Sequence, residues 1–336
     1  MPVDTGLAEL SNSLLVVAIL AYAVAMLGHA VEYAFGGRGL VAREAAGART
    51  ATKVLAGAAG PDVAAPVSPA VGGTAAPDQT RASTALWFGR LATVATVTGV
   101  LAQVGCLTAR GLSASRVPWG NMYEFVSMVC LTGMLAWLVV STRRKLRYLG
   151  VFVLLPVLLL LGLAGTVLYV DSAPLRPALD SYWLVIHVSA ASLAIGIFLV
   201  GFVLSVLYLV RRSYDKQATA ERSLRFPGTL GVKLPAADAL ERLSFRVHAF
   251  AFPIWTFAII CGAIWAEAAW SRYWGWDPKE TWAFITWAVY AAYLHARATA
   301  GWRGTRAVLI TLVGWTTMMI NLYVINFVVS GLHSYA

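Results

Sequence analysis

The chain has 336 residues, of which 59% are hydrophobic and only 12% charged, and its mean hydropathy is +0.70. About 25% of the residues of an ordinary soluble domain are charged, so the composition excludes that class and indicates an integral membrane protein. The formal net charge of +10 is spread over many loops, which does not indicate a nucleic-acid partner.

Apolar runs of bilayer-spanning length recur along the chain. We predict eight transmembrane helices, at about residues 12–34, 85–108, 121–141, 149–170, 181–210, 248–270, 281–298 and 306–330. Backbone groups in lipid must be hydrogen-bonded within the protein, so helices are the solution expected for such runs. The predicted fold class is an all-α polytopic membrane protein.

The N-terminal part differs from the rest in composition. The residues before the first run include Asp4 and Glu9 but no Lys or Arg, which is the wrong charge for a signal peptide. We therefore expect a retained first transmembrane helix over residues 1–35. Residues 36–84 are rich in Ala, Gly and Pro and are predicted to be a disordered cytoplasmic linker, followed by a membrane core over 85–336.

The basic residues set the predicted topology. With the N-terminus outside, twenty Lys and Arg residues lie on the four cytoplasmic loops and five on the outer loops. This is the bias of the positive-inside rule. It predicts that both termini, and the loop around residues 270–282, are extracytoplasmic.

Familiar soluble-enzyme signals are missing from the sequence. It has no Ser/His/Asp arrangement, P-loop or zinc-ligand spacing. Its three cysteines, Cys106, Cys130 and Cys261, lie in apolar runs without a C-x-x-C pair. They are predicted to be small buried hydrophobic residues rather than disulfide or redox groups.

The loop between the sixth and seventh runs is crowded with tryptophan. Six Trp residues fall within 23 positions: Trp265, Trp270, Trp274, Trp276, Trp282 and Trp287. An interfacial aromatic belt is the alternative, but a belt needs only one or two rings per helix end. We interpret the loop as an aromatic platform for a flat, apolar ligand with a charged edge.

Two histidines are predicted to reach the same side of the membrane. His187 lies about 10 Å along its helix from Asp180, at 1.5 Å per residue, and His333 follows the last run. Two imidazoles from different helices could hold a porphyrin iron from both faces, with the ring stacked on the indoles. A solvated interfacial histidine is the alternative for each of them.

The other three histidines are predicted to lie toward the cytoplasmic side. His295 is 13 residues beyond Trp282, or roughly 20 Å along a helix, and His29 lies at a comparable depth. A histidine at this depth needs a partner, which could be His29 or a residue of another subunit. His248 opens the sixth run, where a snorkelling or capping role is expected.

Four stretches of the chain resemble one family. They are residues 274–282 (WGWDPKETW), 118–125 (PWGNMYEF), 182–188 (YWLVIHV) and 331–335 (GLHSY). The first resembles the WWD motif of haem-handling proteins. Together, and in this order, the four resemble the CcsA (ResC-type) subunits of System II cytochrome c maturation, from about residue 85 to the end.

The resemblance implies roles for individual residues. It implies that His187 and His333 are axial ligands of haem iron on the outer side, and that Trp274, Trp276 and Asp277 present the haem for reaction. His295 would ligate iron at an inner site, whose second ligand in the family comes from the partner subunit, so His29 becomes the weaker alternative. Further haem-binding residues are expected in and around these motifs: Trp119, Tyr123, Trp270, Lys279 and Trp282.

The resemblance also implies an activity. Haem b would be relayed across the membrane and attached through thioether bonds to the C-x-x-C-H motif of an apocytochrome c. This is holocytochrome c synthase (cytochrome c haem lyase) activity, expected only together with a CcsB/ResB-type subunit and with proteins that keep the acceptor thiols reduced. The expected location is the bacterial plasma membrane, with the thylakoid membrane as the alternative. A haem exporter without ligation activity and a cytochrome assembly scaffold are the rival functions.

Overall fold

The computed structural model describes residues 3–36, 79–144, 146–175, 179–220, 223 and 225–332. This part of the chain contains eight helices of 15 residues or more and no strand. They are α1 (Thr5–Val31), α2 (Gln79–Ser113), α3 (Met122–Arg144), α4 (Gly150–Thr166), α5 (Tyr182–Thr219), α6 (Ala237–Trp270), α7 (Pro278–Ala298) and α8 (Thr305–Met319). A π-helical turn, Ile320–Val324, and a short helix, Ile325–Phe327, continue α8. The predicted all-α class is confirmed.

Seven helical segments are long and apolar enough to cross a membrane: Thr5–Gly36, Ser83–Ser113, Met122–Arg143, Arg147–Thr166, Tyr182–Thr219, Ala237–Trp270 and Thr305–Phe327. The exception among the eight long helices is α7, which carries charged residues in both its first and last turns. It nevertheless packs against α6 and α8 within the bundle. The chain is therefore a multi-pass membrane protein.

The helices pack in two connected groups. Helix α1 packs on α2 and α4, and α3 joins this group to α5. Helices α5 and α6 form the most extensive pair, while α7 packs on α8 and α6 and α8 also contacts α5. One large apolar cluster contains residues of α1 to α8, so the core is continuous through the bundle.

The first and last described segments are both held at the same end of the bundle. Asp4 donates its backbone N–H to Ser113 O (2.9 Å) at the end of α2, and Ser113 Oγ lies 2.7 Å from Ser172 Oγ. At this end too, the N–H of Leu332 bonds the residue that caps α7, Asp277 (2.8 Å). This arrangement agrees with two termini on one side of a membrane; that this side is the outer one stays a prediction.

Three helices begin at least six residues before the predicted apolar runs, and the first of them is α1, which begins at Thr5 rather than at about residue 12. Helix α2 begins at Gln79, inside the segment predicted as linker, whereas residues 37–78 of that segment lie outside the described residues. Helix α6 begins at Ala237, eleven residues before the apolar run. Its first turns are amphipathic, and Glu241 is buried in an ion pair with Arg297 of α7. Polar side chains paired across helices in this way conceal a helix from a search for apolar runs.

The early start of α6 corrects the prediction for His248. This histidine does not open a helix at the membrane surface; it lies inside α6 and is 1% exposed. Its Nδ1 is 2.8 Å from Ser244 O, and its ring packs between Phe198, Tyr290 and Tyr293. Snorkelling or capping at the surface is therefore wrong for this residue. The three cysteines are free and buried, as predicted.

Candidate functional site

A large cavity opens at the end of the bundle where Asp4 and Leu332 lie. Its empty space, counted with the open mouth and the solvent in it, is about 1220 Å³. Its wall is formed by the turn before α3, the first turns of α5, the last turns of α6, the start of α7 and the π-helical turn after α8. Predicted site residues on this wall are Trp119, His187, Trp274 and Lys279.

The WWD segment, residues 274–282, leads into α7 and is held by capping hydrogen bonds. Asp277 caps the helix by accepting the N–H of Lys279 (3.1 Å), Pro278 follows at the first helical position, and Glu280 completes a capping box. Glu280 Oε2 accepts the backbone N–H groups of Gly275 (2.8 Å) and Asp277 (3.1 Å), the two neighbours of Trp276. Trp276 has φ +58°, a left-handed conformation that costs an ordinary residue about 1–3 kcal/mol. The Glu280 carboxylate therefore holds a strained tryptophan in place.

Because residue 275 is glycine, the guanidinium of Arg272 can pack directly against the backbone of this loop. A Cβ atom at position 275 would lie 1.5 Å from Arg272 Nη1, so no other residue fits without moving the guanidinium. Arg272 also reaches Glu280 Oε1 (3.5 Å) and lies 6.0 Å from the Trp270 ring. The loop is thus fixed by charge pairing as well as by helix capping.

Asp277 connects the WWD segment to the C-terminal segment. Its second oxygen, Oδ2, accepts the backbone N–H of Leu332 (2.8 Å), and the side chain is buried. Leu332 directly precedes His333, which lies outside the described residues. One carboxylate therefore fixes both the start of α7 and the residue before a predicted iron ligand.

Replacing Asp277 by alanine is expected to weaken both connections. It removes a helix cap worth about 1 kcal/mol and leaves the N–H of Leu332, a residue that is 44% exposed, without its protein acceptor. Hydrogen exchange at residues 328–332 should accelerate more than tenfold. Asp4→Ala is the matched control, because Asp4 caps α1 through the N–H of Leu7 (3.1 Å) and is exposed. Unchanged exchange in Asp277→Ala would contradict this role.

His187 is held in one orientation on the cavity wall. Its Nδ1 lies 2.8 Å from Ala258 O, and because a carbonyl oxygen can only accept, Nδ1 carries the proton. The neutral imidazole then has its lone pair on Nε2, the arrangement typical of metal-ligating histidines. The Trp265 ring is stacked parallel to His187, at 6.1 Å and 11°. Gly262 leaves room for the ring, since a Cβ there would lie 2.7 Å from His187 Cε1.

A buried charge cluster fixes the turn that carries Trp119. Glu124 accepts from Arg110 Nε (3.0 Å), from both Nη atoms of Arg116 (2.8 and 2.9 Å) and from the Gly120 N–H (2.7 Å). Arg110 and Glu124 are both 0% exposed. Because Gly120 adjoins Trp119, this cluster sets the position of the indole on the cavity wall.

Lys279 brings a positive charge to the cavity. Burial lowers the pKa of its ammonium from 10.5 to about 8, against the opposing effect of the nearby Asp277 carboxylate. The group is therefore still mostly charged at pH 7 and loses its charge as the pH rises through about 8. A half-buried cation of this kind suits an anionic group on the ligand.

The remaining predicted aromatic residues lie off the cavity wall. Trp276 is 67% exposed and packs edge-on against Trp274 (5.8 Å, 89°), while Trp270 packs edge-on against Trp265 (4.8 Å, 63°). Trp282 is half-buried in the first turns of α7. Tyr123 is fully buried, with its hydroxyl 3.7 Å from Cys106 Sγ. The structure brings Trp119, Trp274 and His187 to one wall, but not these four.

The structure does not bring His29 and His295 together. His29 is buried in α1, where Nδ1 is 3.6 Å from Glu32 Oε2, and Glu32 in turn pairs with Arg147 (2.8 Å). His295 is exposed in the last turn of α7. Helix α1 packs on α2 and α4, whereas α7 packs on α6 and α8. This packing does not support an iron site shared by the two histidines.

Several residues of the site were not singled out by the sequence motifs as ligand-binding. They are Glu124, Trp255, Gly262, Glu280, Asn321 and Asn326, whereas Trp265 belongs to the predicted tryptophan platform. A usable signal existed for three of them, since polar or charged residues inside apolar runs are costly and mark functional sites. Glu124, Asn321 and Asn326 fit that description. No sequence signal distinguishes Trp255 or Gly262 from ordinary core residues.

Comparisons with a family model and with individual proteins agree on one family. Residues 119–333 match the family model described as "Cytochrome C assembly protein". A protein named "Cytochrome c biogenesis protein CcsA" from Trieres chinensis is 36% identical over 277 residues, covering 74% of this chain and 88% of the relative. Proteins of the same name from Gloeobacter violaceus and Guillardia theta are 32% and 36% identical, covering 73% and 68% of this chain and 86% and 80% of the relatives.

Proposed function

This chain belongs to the cytochrome c assembly protein family, and we propose that it is the haem-handling subunit of a cytochrome c synthase. Its role in cytochrome c biogenesis follows from the family. The finer proposal is that haem b binds in the outer cavity with His187 as an axial ligand and is presented there to an apocytochrome c. Trp274, Trp119 and Trp265 would flank the porphyrin.

The orientation of His187 carries this proposal. A neutral imidazole whose Nδ1–H donates a hydrogen bond to Ala258 O carries its lone pair on Nε2. A lone pair on a ring nitrogen is what an iron ligand must offer. His187 stands on the wall of an open cavity that is lined by indole rings. Apolar walls with one fixed nitrogen ligand suit a flat metalloporphyrin.

In the proposed reaction, the main task of the site is to position the haem vinyl groups against the acceptor thiols. Each acceptor thiol adds across one vinyl group of haem: the sulfur bonds the carbon next to the ring, and the thiol hydrogen goes to the terminal carbon. The C=C π bond and the S–H bond are lost, and the addition has no net oxidation or reduction. Holding a vinyl edge against two thiols in one orientation is the kind of task for which fixed geometry gives large rate gains.

Other subunits and sites complete the proposal. His333 would supply the second outer ligand, supported by the bond between Asp277 and Leu332. His295, exposed on α7, would ligate an inner haem together with a CcsB/ResB-type partner. Thiol-reducing proteins would keep the acceptor cysteines reduced, and the proposed location is the bacterial plasma membrane with the WWD segment outside.

Co-expression tests the proposed activity directly. The chain, a CcsB/ResB-type subunit and an apocytochrome c should together yield a cytochrome whose haem survives acid–acetone extraction. Omitting the chain should abolish this product, because the acceptor then has no positioned haem. The matched control is an acceptor with Ser-x-x-Ser-His in place of Cys-x-x-Cys-His, which cannot form thioethers.

The two rival functions give different results in the same experiment. A haem exporter would raise the haem outside the membrane but leave it extractable. An assembly scaffold would purify without a haem absorption band. Either result would contradict the proposed synthase role.

A further inference from the structure

Four buried polar atoms of residues that line the cavity have no hydrogen-bond partner within the described part of the chain. They are the indole Nε1 atoms of Trp119 and Trp255, Nδ2 of Asn326 and Oδ1 of Asn321. As whole residues, Trp255, Asn321 and Asn326 are only 5%, 9% and 7% exposed. Buried polar groups are nearly always hydrogen-bonded, so a group of them around one cavity indicates that its ligand satisfies them.

The unsatisfied atoms are mostly donors. Three of the four present N–H groups, and Lys279 adds an ammonium that makes no ion pair with a described residue. Glu280 is the one acidic side chain among the described lining residues. Its carboxylate is already engaged by Gly275 N, Asp277 N and Arg272. The cavity therefore combines apolar walls with a surplus of donors, which is complementary to an apolar ligand with anionic acceptors.

The π-helical turn explains how both asparagines reach one cavity. Asn321 and Asn326 are five residues apart, and in a regular α-helix such residues point roughly 140° apart. The turn Ile320–Val324 follows the i→i+5 pattern instead, which brings residues five apart toward one face. Rotation of the Asn321 amide can also turn its NH2 group toward a ligand.

We propose that Trp119, Trp255, Asn326 and Lys279 bind the two propionate groups of the porphyrin, with Asn321 as an adaptable neighbour. This inference rests on the proposed function, in which the cavity holds haem. The propionates lie on the edge of the ring opposite the vinyl groups. Holding the acidic edge therefore fixes which edge remains for the acceptor thiols.

Metal-free protoporphyrin IX tests this proposal without iron ligation. The purified full chain, in lipid nanodiscs, is titrated with the diacid and with its dimethyl ester, and binding is followed by quenching of tryptophan fluorescence. The diacid should bind at least about tenfold more tightly, since hydrogen bonds to charged groups are among the stronger ones. Asn326→Leu and Trp255→Phe should each reduce this preference severalfold while leaving the affinity for the ester nearly unchanged.

Trp287→Phe is the matched control, because its indole N–H donates to Thr256 Oγ1 (2.9 Å) away from the cavity wall. It should keep the full preference for the diacid. Equal affinity of the wild-type chain for diacid and ester, or binding of neither, would overturn the proposal. The comparison in the wild-type chain does not depend on whether a variant folds. It is also separate from the synthase test, because a metal-free porphyrin forms neither iron bonds nor, in this assay, thioethers.

Discussion

Replacing His187 by alanine is expected to reduce holocytochrome c yield and haem bound at the outer cavity by at least about 100-fold. Losing even a group that orients a metal ligand costs 10–100-fold in affinity or activity, so losing the ligand itself should cost more. The measurement is the Soret absorbance per protein of the purified complex and the yield of acid-stable cytochrome. Added imidazole should partly restore the band, because His187 is half-buried on the wall of an open cavity that a small molecule can enter.

His248→Gln is the control for this experiment. It removes another imidazole of the same bundle, but one buried between Phe198, Tyr290 and Tyr293 and off the cavity wall. Its Soret band should be unchanged and insensitive to imidazole. A normal Soret band in His187→Ala would contradict His187 as the ligand. So would a Soret band that is lost in both variants and that imidazole restores only in His248→Gln.

Replacing Glu124 by alanine is expected to cost about 3–5 kcal/mol of stability, because it leaves buried arginine side chains without their counter-charge. Arg110 is 0% exposed, and Arg116 makes two of its hydrogen bonds to the same carboxylate. The turn that carries Trp119 also loses the bond from the Gly120 N–H. We expect a fall of many degrees in the thermal unfolding midpoint of the nanodisc-embedded chain, together with weaker haem binding.

Two variants separate this effect from a general loss of charge. Glu9→Ala removes an exposed carboxylate and should leave the unfolding midpoint unchanged. Glu124→Gln keeps one acceptor oxygen and should fall between wild type and Glu124→Ala. A midpoint in Glu124→Ala equal to that of Glu9→Ala would show that the cluster is not needed for folding.

Each of two family motifs contains some residues that line the cavity and others that do not. In the WWD segment, Trp274 lines the cavity, whereas Trp276 is exposed and Asp277 binds backbone groups. In the turn at 118–125, Trp119 lines the cavity, while Glu124 acts from the core and Tyr123 packs away from it. A motif in the sequence therefore combines residues that touch a ligand with residues that position them, and the sequence does not separate the two.

The sequence by itself determined the all-helical class, because a bilayer-length apolar run can satisfy its backbone in lipid only as a helix. It predicted eight such spans, whereas seven helical segments of the described chain are long and apolar enough. It also determined which loops are unusual, through tryptophan density and charge. The tertiary structure decided which side chains share one cavity, since that depends on how α5, α6, α7 and the turn after α8 pack together. It removed His248 from the membrane surface, separated His29 from His295, and brought Asn321 and Asn326 into the site. Such placements depend on contacts between residues far apart in the chain, which local hydropathy does not encode.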